Sequence, residues 1–362
     1  MNANRISCPI LYNPTDPKFA ESIRQFQGCP TVAVTPKGRI YMGWYAGGWR
    51  EPHMDNYSLL VKSDDGGKTW SDPLIIIPSS KELMIHTLDI QLWTAPDGKL
   101  HLFWVQNNVI YALPGHWHGW VTPVVEEYYM NDITHAEWVM VCDDPDADEP
   151  RFSEPRCIDK GFMRCKPTVL ESGRHLYFNY AQDAPGYEYS ITDDGGKTFR
   201  HMIGPKKIDN VFDEGMAYQK KDGSVRLFLR TETGRIGETV SYDEGETWTE
   251  AKPGDIVSPA TRFYVSRTPS GNVLLVRNDH DSIRKNMTVC LSEDDGETWK
   301  YQRCIDEREG LSYPDADFYD GKIYLTYDRE RMGAKEILFT VFTEDDLKDP
   351  AWKPEIQIVS KP

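Results

Sequence analysis

Apolar and polar residues alternate in six short segments of the chain, and each segment follows a tight polar turn that contains glycine. Examples are "TPKGRIYMGWY", "KDGSVRLFLRT" and "YDGKIYLTYDR". Alternation with a period of two is typical of a β-strand with one buried face, and a glycine turn before it indicates a hairpin. A strand also precedes each turn. The pattern therefore predicts six hairpins, with turn glycines at Gly38, Gly98, Gly173, Gly223, Gly271 and Gly321.

A second repeat is an eight-residue box rich in Asp and Gly that follows the third predicted strand of a unit. It reads "SDDGGKTW" at 63–70, "TDDGGKTF" at 192–199, "SYDEGETW" at 241–248 and "SEDDGETW" at 292–299. Degenerate forms stand at 141–155 and 342–350. Ser, Thr and Asp bond their own backbone in such turns, and glycine permits a positive φ. We therefore expect the box to be a folding element, so the chemistry must lie elsewhere.

Units of about 50 residues with four strands each are typical of propeller blades. We predict an all-β fold, a six-bladed β-propeller that forms a single domain over residues 1–362. Residues near 5–25 are expected to supply an outer strand that joins the first and last blades. The box tryptophans Trp70, Trp248 and Trp299 are expected to fill gaps between neighbouring strands or blades.

Charge and composition exclude several classes of function. The formal net charge of −16 opposes binding to nucleic acid phosphates. The chain has no run of about 18 apolar residues, so no membrane span is expected. The first thirty residues lack a basic start followed by an apolar stretch, so we expect a cytoplasmic location, or a secreted or periplasmic one if a leader was removed. The seven cysteines are expected to be reduced thiols. The oligomeric state is left open.

No metal and no cofactor are expected. The histidine-rich stretch "HWHG" at 116–119, even with His86 and His135, matches no common ligand spacing and has no cysteine partners. The acidic stretch "DDPDADE" at 143–149 lacks the full pattern of a calcium loop.

Charged and aromatic residues are predicted to meet at one mouth of the propeller axis. Counting along the hairpins from the turn glycines places nine such residues at the ends of the two inner strands on the same face: Tyr45, Asp89, Lys166, Tyr180, Glu214, Arg230, Arg262, Tyr313 and Asp328. Unpaired buried charge is costly, so this set favours a site that recognises an anion. A ring of salt bridges that locks the blades together is the alternative.

The chain resembles the sialidase (neuraminidase) superfamily, as a bacterial member of the Asp-box group, over its whole length. The resemblance rests on the boxes and on "FDEGMAYQKKDG", "LFLRTETG", "SIRKNMTVCLSEDDGETW" and "GLSYPDADFYDGKIYLTYDRE". It implies that Tyr313 is a nucleophile whose proton Glu214 accepts, and that Arg230 and Arg284 bind the substrate carboxylate. A phenol with a pKa near 10 needs such a base at neutral pH.

The acid/base residue that the resemblance implies falls in the loop "GGWREPHMDNYS". Glu51 is nearest to the family's acidic position and Asp55 is second, while His53 lies between them. His86 is a further expected substrate contact.

The first blade departs from the family pattern. It reads "FQGCPTVAV" where the family has an arginine, so Gly28 or Cys29 stands in that place. Lys166, Arg262 or Arg50 could supply the missing cation. The substrate could accordingly be a uronic acid or another sugar rather than ordinary sialic acid.

We therefore predict an exo-acting, sialidase-like glycoside hydrolase whose partner is a small-molecule or oligosaccharide substrate with an acidic terminus. Two alternatives stay open: a uronate polysaccharide lyase on the same fold, and a propeller that binds carbohydrate without catalysis.

Overall fold

The computed structural model describes residues 7–83, 85–111, 128–180, 184–210 and 212–362. It shows six antiparallel blade sheets, each with four strands that lie side by side in chain order, the first innermost and the fourth outermost. In the first blade a fifth strand, Leu11–Tyr12, lies outside the fourth. The predicted six-bladed β-propeller is confirmed.

The strand bounds follow the predicted hairpins. The innermost strands are Phe26–Val34, Ile85–Thr94, Thr168–Val169, Gly215–Gln219, Tyr264–Arg267 and Leu311–Tyr319. The second strands are Ile40–Gly47, Leu100–Tyr111, His175–Tyr177, Val225–Leu229, Val273–Asn278 and Lys322–Arg329. The third strands are Tyr57–Ser63, Tyr128–Cys142, Gly186–Thr192, Arg235–Ser241, Lys285–Ser292 and Glu336–Thr343. The outermost strands are Ile75–Pro78, Arg156–Lys160, Arg200–Lys206, Lys252–Val257, Tyr301–Glu309 and Gln357–Ser360.

A few elements stand outside this scheme. Two short strands, Phe162–Met163 and Asn179–Tyr180, form a separate ladder at the inner end of the third blade. The α-helix Glu344–Lys348 replaces the box of the sixth blade and begins with a capping box at Thr343. Two 3₁₀ helices, Pro17–Phe19 and Glu21–Ile23, precede the first blade. No helix in the described ranges is long and apolar enough to cross a membrane.

Each Asp box closes on itself through one hydrogen-bond pattern. In the first box, Ser63 Oγ donates to Asp65 and accepts from the Gly67 N–H, at 2.8 and 2.9 Å. Asp65 also accepts from the backbone N–H and the hydroxyl of Thr69, at 2.9 and 2.7 Å. The same bonds recur in the boxes of blades three, four and five. These contacts support the expectation that the box is a folding element.

The box tryptophans pack between blades, as expected. Trp70 of the first blade meets Phe339 of the sixth edge to face, with ring centroids 5.3 Å apart. Trp248 of the fourth blade donates to the Tyr189 hydroxyl of the third at 3.0 Å. Apolar side chains of neighbouring blades thus form continuous buried clusters.

The ring closes differently from the prediction. Within the described ranges, Leu11–Tyr12 pairs only with Ile75–Ile76 of the first blade, so the prediction of an outer strand that joins the first and last blades is wrong. The sixth blade takes its outer strand from the C-terminal residues Gln357–Ser360. Side chains tie the two blades instead: Thr31 donates to Asp315 at 2.7 Å.

Candidate active site

A buried tyrosine, glutamate and arginine lie in direct contact at one mouth of the axis. The Tyr313 hydroxyl donates to Glu214 Oε1 at 2.6 Å, and Arg230 Nη1 donates to Glu214 Oε2 at 2.8 Å. The same Arg230 nitrogen lies 3.3 Å from the Tyr313 oxygen. Glu214 directly precedes the innermost strand of the fourth blade, and Arg230 directly follows the second strand. Because Gly215 pairs with Leu229, the two residues lie at the same end of this sheet.

The surroundings shift the pKa values of Tyr313 and Glu214 in opposite directions. Burial raises the pKa of Tyr313 to about 12, and the Glu214 charge adds to the rise. Burial also opposes ionisation of Glu214, but Arg230 and Arg164 outweigh it and lower the pKa of Glu214 to about 2. At neutral pH the proton therefore stays on the phenol, and Glu214 is an ionised acceptor.

Tyr313 is one of three residues that lie at β-bulges of the innermost strands, near the propeller axis. Cys29, Asp89 and Tyr313 have φ of 55°, 59° and 53°, although none is glycine. Each lies where the pairing of the two inner strands shifts register, in blades one, two and six. Such bulges re-aim side chains next to active sites, and non-glycine residues with positive φ concentrate at functional sites.

Arginines surround the ring of Tyr313. The guanidinium carbons of Arg331, Arg164, Arg262 and Arg284 lie 4.2, 5.2, 5.5 and 6.0 Å from the ring centroid. Cations over a ring face are attracted to it, and they also stabilise a phenolate as it forms. The arginines therefore offset part of the effect of burial and of the Glu214 charge, which together raise the pKa of Tyr313.

Glu51 and Asp89 balance part of this positive charge. Glu51 accepts from Arg331 at 2.9 Å and from Arg164 at 3.4 Å, and its side chain is 21% exposed. Asp89 contacts Arg164 and is fully buried. Burial raises the pKa of Asp89 to about 7, with Arg164 opposing and the neighbouring Glu51 adding to the rise.

A second buried carboxylate anchors the arginine of the sixth blade. Asp328 accepts from Arg331 Nε at 3.1 Å, from the Cys29 N–H at 2.7 Å and from Ser312 Oγ at 2.5 Å. Arg331 is thereby fixed between the first and sixth blades.

The sequence profile of a family described as "BNR repeat-like domain" matches residues 38–325. The chain belongs to the BNR repeat-like family. Together with its similarities to sialidases, this match confirms the predicted membership of the sialidase superfamily. Among curated proteins, this BNR repeat-like protein is 26% identical over 216 residues to an anhydrosialidase of Macrobdella decora. That match covers 52% of the chain and only 28% of the anhydrosialidase.

Solved structures share the fold at low identity. The intramolecular trans-sialidase from Ruminococcus gnavus, in complex with oseltamivir carboxylate, is 16% identical with a TM-score of 0.68, over 94% of this chain and 98% of that one. The leech intramolecular trans-sialidase complexed with 2,7-anhydro-Neu5Ac is 16% identical with a TM-score of 0.69, over 95% of this chain and 71% of that one. A Dyadobacter fermentans protein of unknown function is 17% identical with a TM-score of 0.65, over 96% and 97%.

The BNR repeat-like protein brings most of the predicted site residues together. Tyr313, Glu214, Arg230 and Asp89 lie in or beside the cluster just described, and so do four other predicted residues: Glu51, Arg262, Arg284 and Asp328. Their roles in binding and catalysis stay predictions.

Three predicted residues lie outside the cluster. Lys166 donates to the carbonyls of Val32 and Ala316 at 2.5 and 2.6 Å, so it crosslinks the innermost strands. Asp55 is 61% exposed and pairs with Lys81 at 3.0 Å. His86 Nε2 lies 2.7 Å from the Tyr45 hydroxyl, within the buried end of the first two blades.

Two arginines of the cluster escaped sequence reasoning in different ways. Arg164 stands two residues before Lys166, and both lie between the short strands Phe162–Met163 and Thr168–Val169, so counting back from Gly173 reached Lys166 and missed Arg164. Arg331 follows the second strand of the sixth blade, beyond the positions that the count along the hairpins reaches, whereas the missing first-blade cation was predicted at Lys166, Arg262 or Arg50. Arg262 instead donates beneath the tyrosine to the carbonyl of Pro314 at 2.6 Å.

Potential metal ligands occur in the same cluster. One ligand atom each from Cys29, Glu51 and Asp89 lies within 4.8 Å of the others. Both carboxylates are already paired with Arg164. The stretch "HWHG" at 116–119 lies outside the described residues.

Proposed function

We propose that this protein is a sialidase-like glycoside hydrolase that removes an acidic sugar from the end of a glycan. The observation that carries the proposal is the buried Tyr313–Glu214 contact of 2.6 Å, which Arg230 bridges. A neutral phenol next to an ionised base is suited to attack an anionic sugar, because the two groups share one negative charge that a free carboxylate nucleophile would hold alone.

The first step forms a bond between the Tyr313 oxygen and the anomeric carbon of the sugar, while the glycosidic C–O bond breaks. The phenolic proton passes to Glu214. Because the pKa values of about 12 and about 2 keep that proton on the phenol beforehand, it moves only as the new C–O bond forms. The arginines around the ring stabilise the charge that develops on the oxygen.

Glu51 is the proposed acid/base. It lies at the mouth of the cluster, partly exposed, and both its oxygens face arginines that also surround Tyr313. It takes up a proton from solvent, which reaches its partly exposed side chain, and gives that proton to the leaving oxygen in the first step. In the second step it takes a proton from the attacking water, the sugar leaves Tyr313, and Glu214 returns the phenolic proton. Asp55 is too far into solvent, on the Lys81 side, to share this role.

The name of the curated relative supports sialic acid as the first sugar to test, because an anhydrosialidase acts on that class. The 2,7-anhydro-Neu5Ac in the leech complex also indicates which product to look for. A hydrolase releases the free acid sugar, whereas an intramolecular transfer releases a product lighter by one water.

The test is a panel of sialosides and glucuronides incubated with the wild-type chain and with Tyr313→Phe, followed by mass spectrometry of the products. The proposal predicts a released sugar with the wild type and, for the variant, turnover lower by a factor of about 10³ or more. An unsaturated product that absorbs in the ultraviolet would make the protein a lyase. Binding of a sugar without any product would make it a lectin. Either result, or full turnover by Tyr313→Phe, overturns the proposal.

A further inference from the structure

Three residues of the cluster lie where the regular strand pairing of their blades is interrupted. Asp89 and Tyr313 lie at bulges in the innermost strands of the second and sixth blades, with φ of 59° and 53°. Arg164 lies between the short strands Phe162–Met163 and Thr168–Val169 of the third blade. The sheet ladder does not fix the backbone at these places, so other contacts have to hold it.

One guanidinium, that of Arg262, bonds to the chain next to all three places. Arg262 stands just before the innermost strand of the fifth blade. Its Nη1 donates to the Arg164 carbonyl, and to the side chain of Gln91 at 3.3 Å. Gln91 is the first regularly paired residue after the bulge of the second blade. Its Nη2 donates at 2.6 Å to the carbonyl of Pro314, the residue that follows Tyr313.

The guanidinium of Arg262 is buried beneath Tyr313 and is engaged by the protein. Arg262 is 4% exposed, and its guanidinium carbon lies 5.5 Å from the centroid of the tyrosine ring. Nη2 also lies 3.6 Å from Asp315, which supplies a counter-charge. Nε is buried and has no partner among the described residues. Because both terminal nitrogens hold protein acceptors in a rigid planar fork, Arg262 acts on its neighbours rather than on a sugar.

The position of the Tyr313 hydroxyl depends on the backbone that Arg262 holds. A residue other than glycine keeps a positive φ only where its surroundings enforce it. The hydroxyl donates to Glu214 at 2.6 Å, and a relaxed backbone would turn the side chain and lengthen this contact. A reacting group that is displaced by about 1 Å can lower the rate about 10²-fold.

We propose that Arg262 is a positioning residue: it holds the chain at Tyr313 and at Arg164, and thereby keeps the phenol against Glu214. The proposal rests on the proposed function, because that reaction is what requires the phenol and its base at this distance. Arg262 serves the reaction without touching the substrate.

The kinetic test measures kcat and KM of the full chain on the glycoside that the wild type cleaves fastest. Arg262→Met removes the fork but keeps an apolar side chain of similar length. It is expected to lower kcat and kcat/KM together by roughly 10²-fold, with KM within about threefold. Arg262→Lys keeps the charge, but a lysine cannot hold both carbonyls in the geometry of the fork, so a loss of roughly tenfold or more in kcat is expected.

Lys166→Met is the matched control. It also removes a buried cation that bonds two strand carbonyls in the axial channel, those of Val32 and Ala316. Both carbonyls lie where the strands are regularly paired. Lys166→Met should therefore lower the urea unfolding midpoint as Arg262→Met does, but keep kcat within about twofold of the wild type.

Crystal structures of the wild type, Arg262→Met and Lys166→Met give a readout that needs no substrate. Arg262→Met is expected to bring residue 313 out of the positive-φ region and its hydroxyl beyond hydrogen-bond distance of Glu214. Lys166→Met is expected to keep both features. If Arg262→Met does not fold, Arg262→Lys replaces it in both measurements.

The outcomes separate this proposal from the proposed function. An Arg262→Met variant that keeps either the contact with Glu214 or the wild-type kcat overturns it. Wild-type kcat in Arg262→Lys also overturns it, since charge alone would then suffice. So does an equal loss of kcat in Lys166→Met, which is what a general loosening of the axis produces. If Arg262→Met displaces Tyr313 and Lys166→Met does not, but the wild type cleaves no glycoside, the proposed hydrolysis fails and the positioning role stands.

Discussion

Replacing Glu214 with glutamine should remove a large, pH-dependent part of the stability of the fold. Glu214 is 2% exposed and paired with Arg230, and its pKa falls from 4.5 to about 2 on folding. That difference corresponds to about 3 kcal/mol of stability at pH 7. Because the folded pKa is the lower one, the contribution is complete above pH 4.5 and is lost as the pH falls toward 2. At pH 3 about 1 kcal/mol should remain.

Urea unfolding measures this contribution, with fluorescence of the eleven tryptophans as the signal. Glu214→Gln should be less stable than the wild type by about 3–5 kcal/mol at pH 7, because the variant leaves Arg230 buried without a counter-charge. The gap should shrink by about 2 kcal/mol at pH 3. Glu297→Gln is the control, since Glu297 is 59% exposed and pairs with Lys220 at the surface, so the change should cost less than about 1 kcal/mol. A Glu214→Gln gap that is equal at pH 7 and pH 3 would refute the reasoning.

Three further changes separate catalysis from structure. Glu51→Gln should lower kcat/KM for a glycoside with a poor leaving group by about 10²-fold but leave kcat/KM for a nitrophenyl glycoside almost unaffected, because kcat/KM reports the first step and nitrophenolate needs no proton; Asp55→Asn should change neither value. Lys166→Met should lower stability by about 3 kcal/mol with an unchanged KM, since the ammonium bonds strand carbonyls; a changed KM at unchanged stability would contradict this. Trp70→Ala should cost about 2 kcal/mol in urea unfolding, because the ring fills the seam against Phe339, and it should leave kcat within about twofold; an unchanged unfolding midpoint would contradict this.

The repeats made the fold predictable because each blade is built from the same sequence of local elements. A glycine turn, an alternating strand and a self-bonded Asp box specify a unit without reference to the rest of the chain, and neighbouring units can only stack around an axis. The prediction of a shared outer strand was wrong because the strand Leu11–Tyr12 has only two residues, too few to show an alternating pattern. Its described partners, Ile75 and Ile76, belong to the first blade.

The candidate site was predictable where strands are regular. Glu214 and Arg230 flank a ladder without register shifts in the fourth blade, so counting from Gly223 located both. Counting is misleading where a bulge or a break intervenes. Lys166 was placed at the mouth because the strand of the third blade is interrupted, and the residue that reaches Tyr313 is Arg164.

The position of Arg331 could not be read from any pattern within one blade. Its side chain lies where the first and sixth blades meet, and its space exists because Gly28, some 300 residues earlier in the chain, has no side chain. Only the closure of the ring brings the two together.

The most direct test of the account is to trap the sugar on the enzyme. A fluorinated analogue of the cleaved acidic sugar, with a good leaving group, slows the second step more than the first, so the covalent intermediate accumulates for peptide mass spectrometry. The account predicts an adduct on the peptide that contains Tyr313, with none in Tyr313→Phe. An adduct on Glu51 or Glu214, or steady turnover of the substrate with no adduct on any residue, would contradict it.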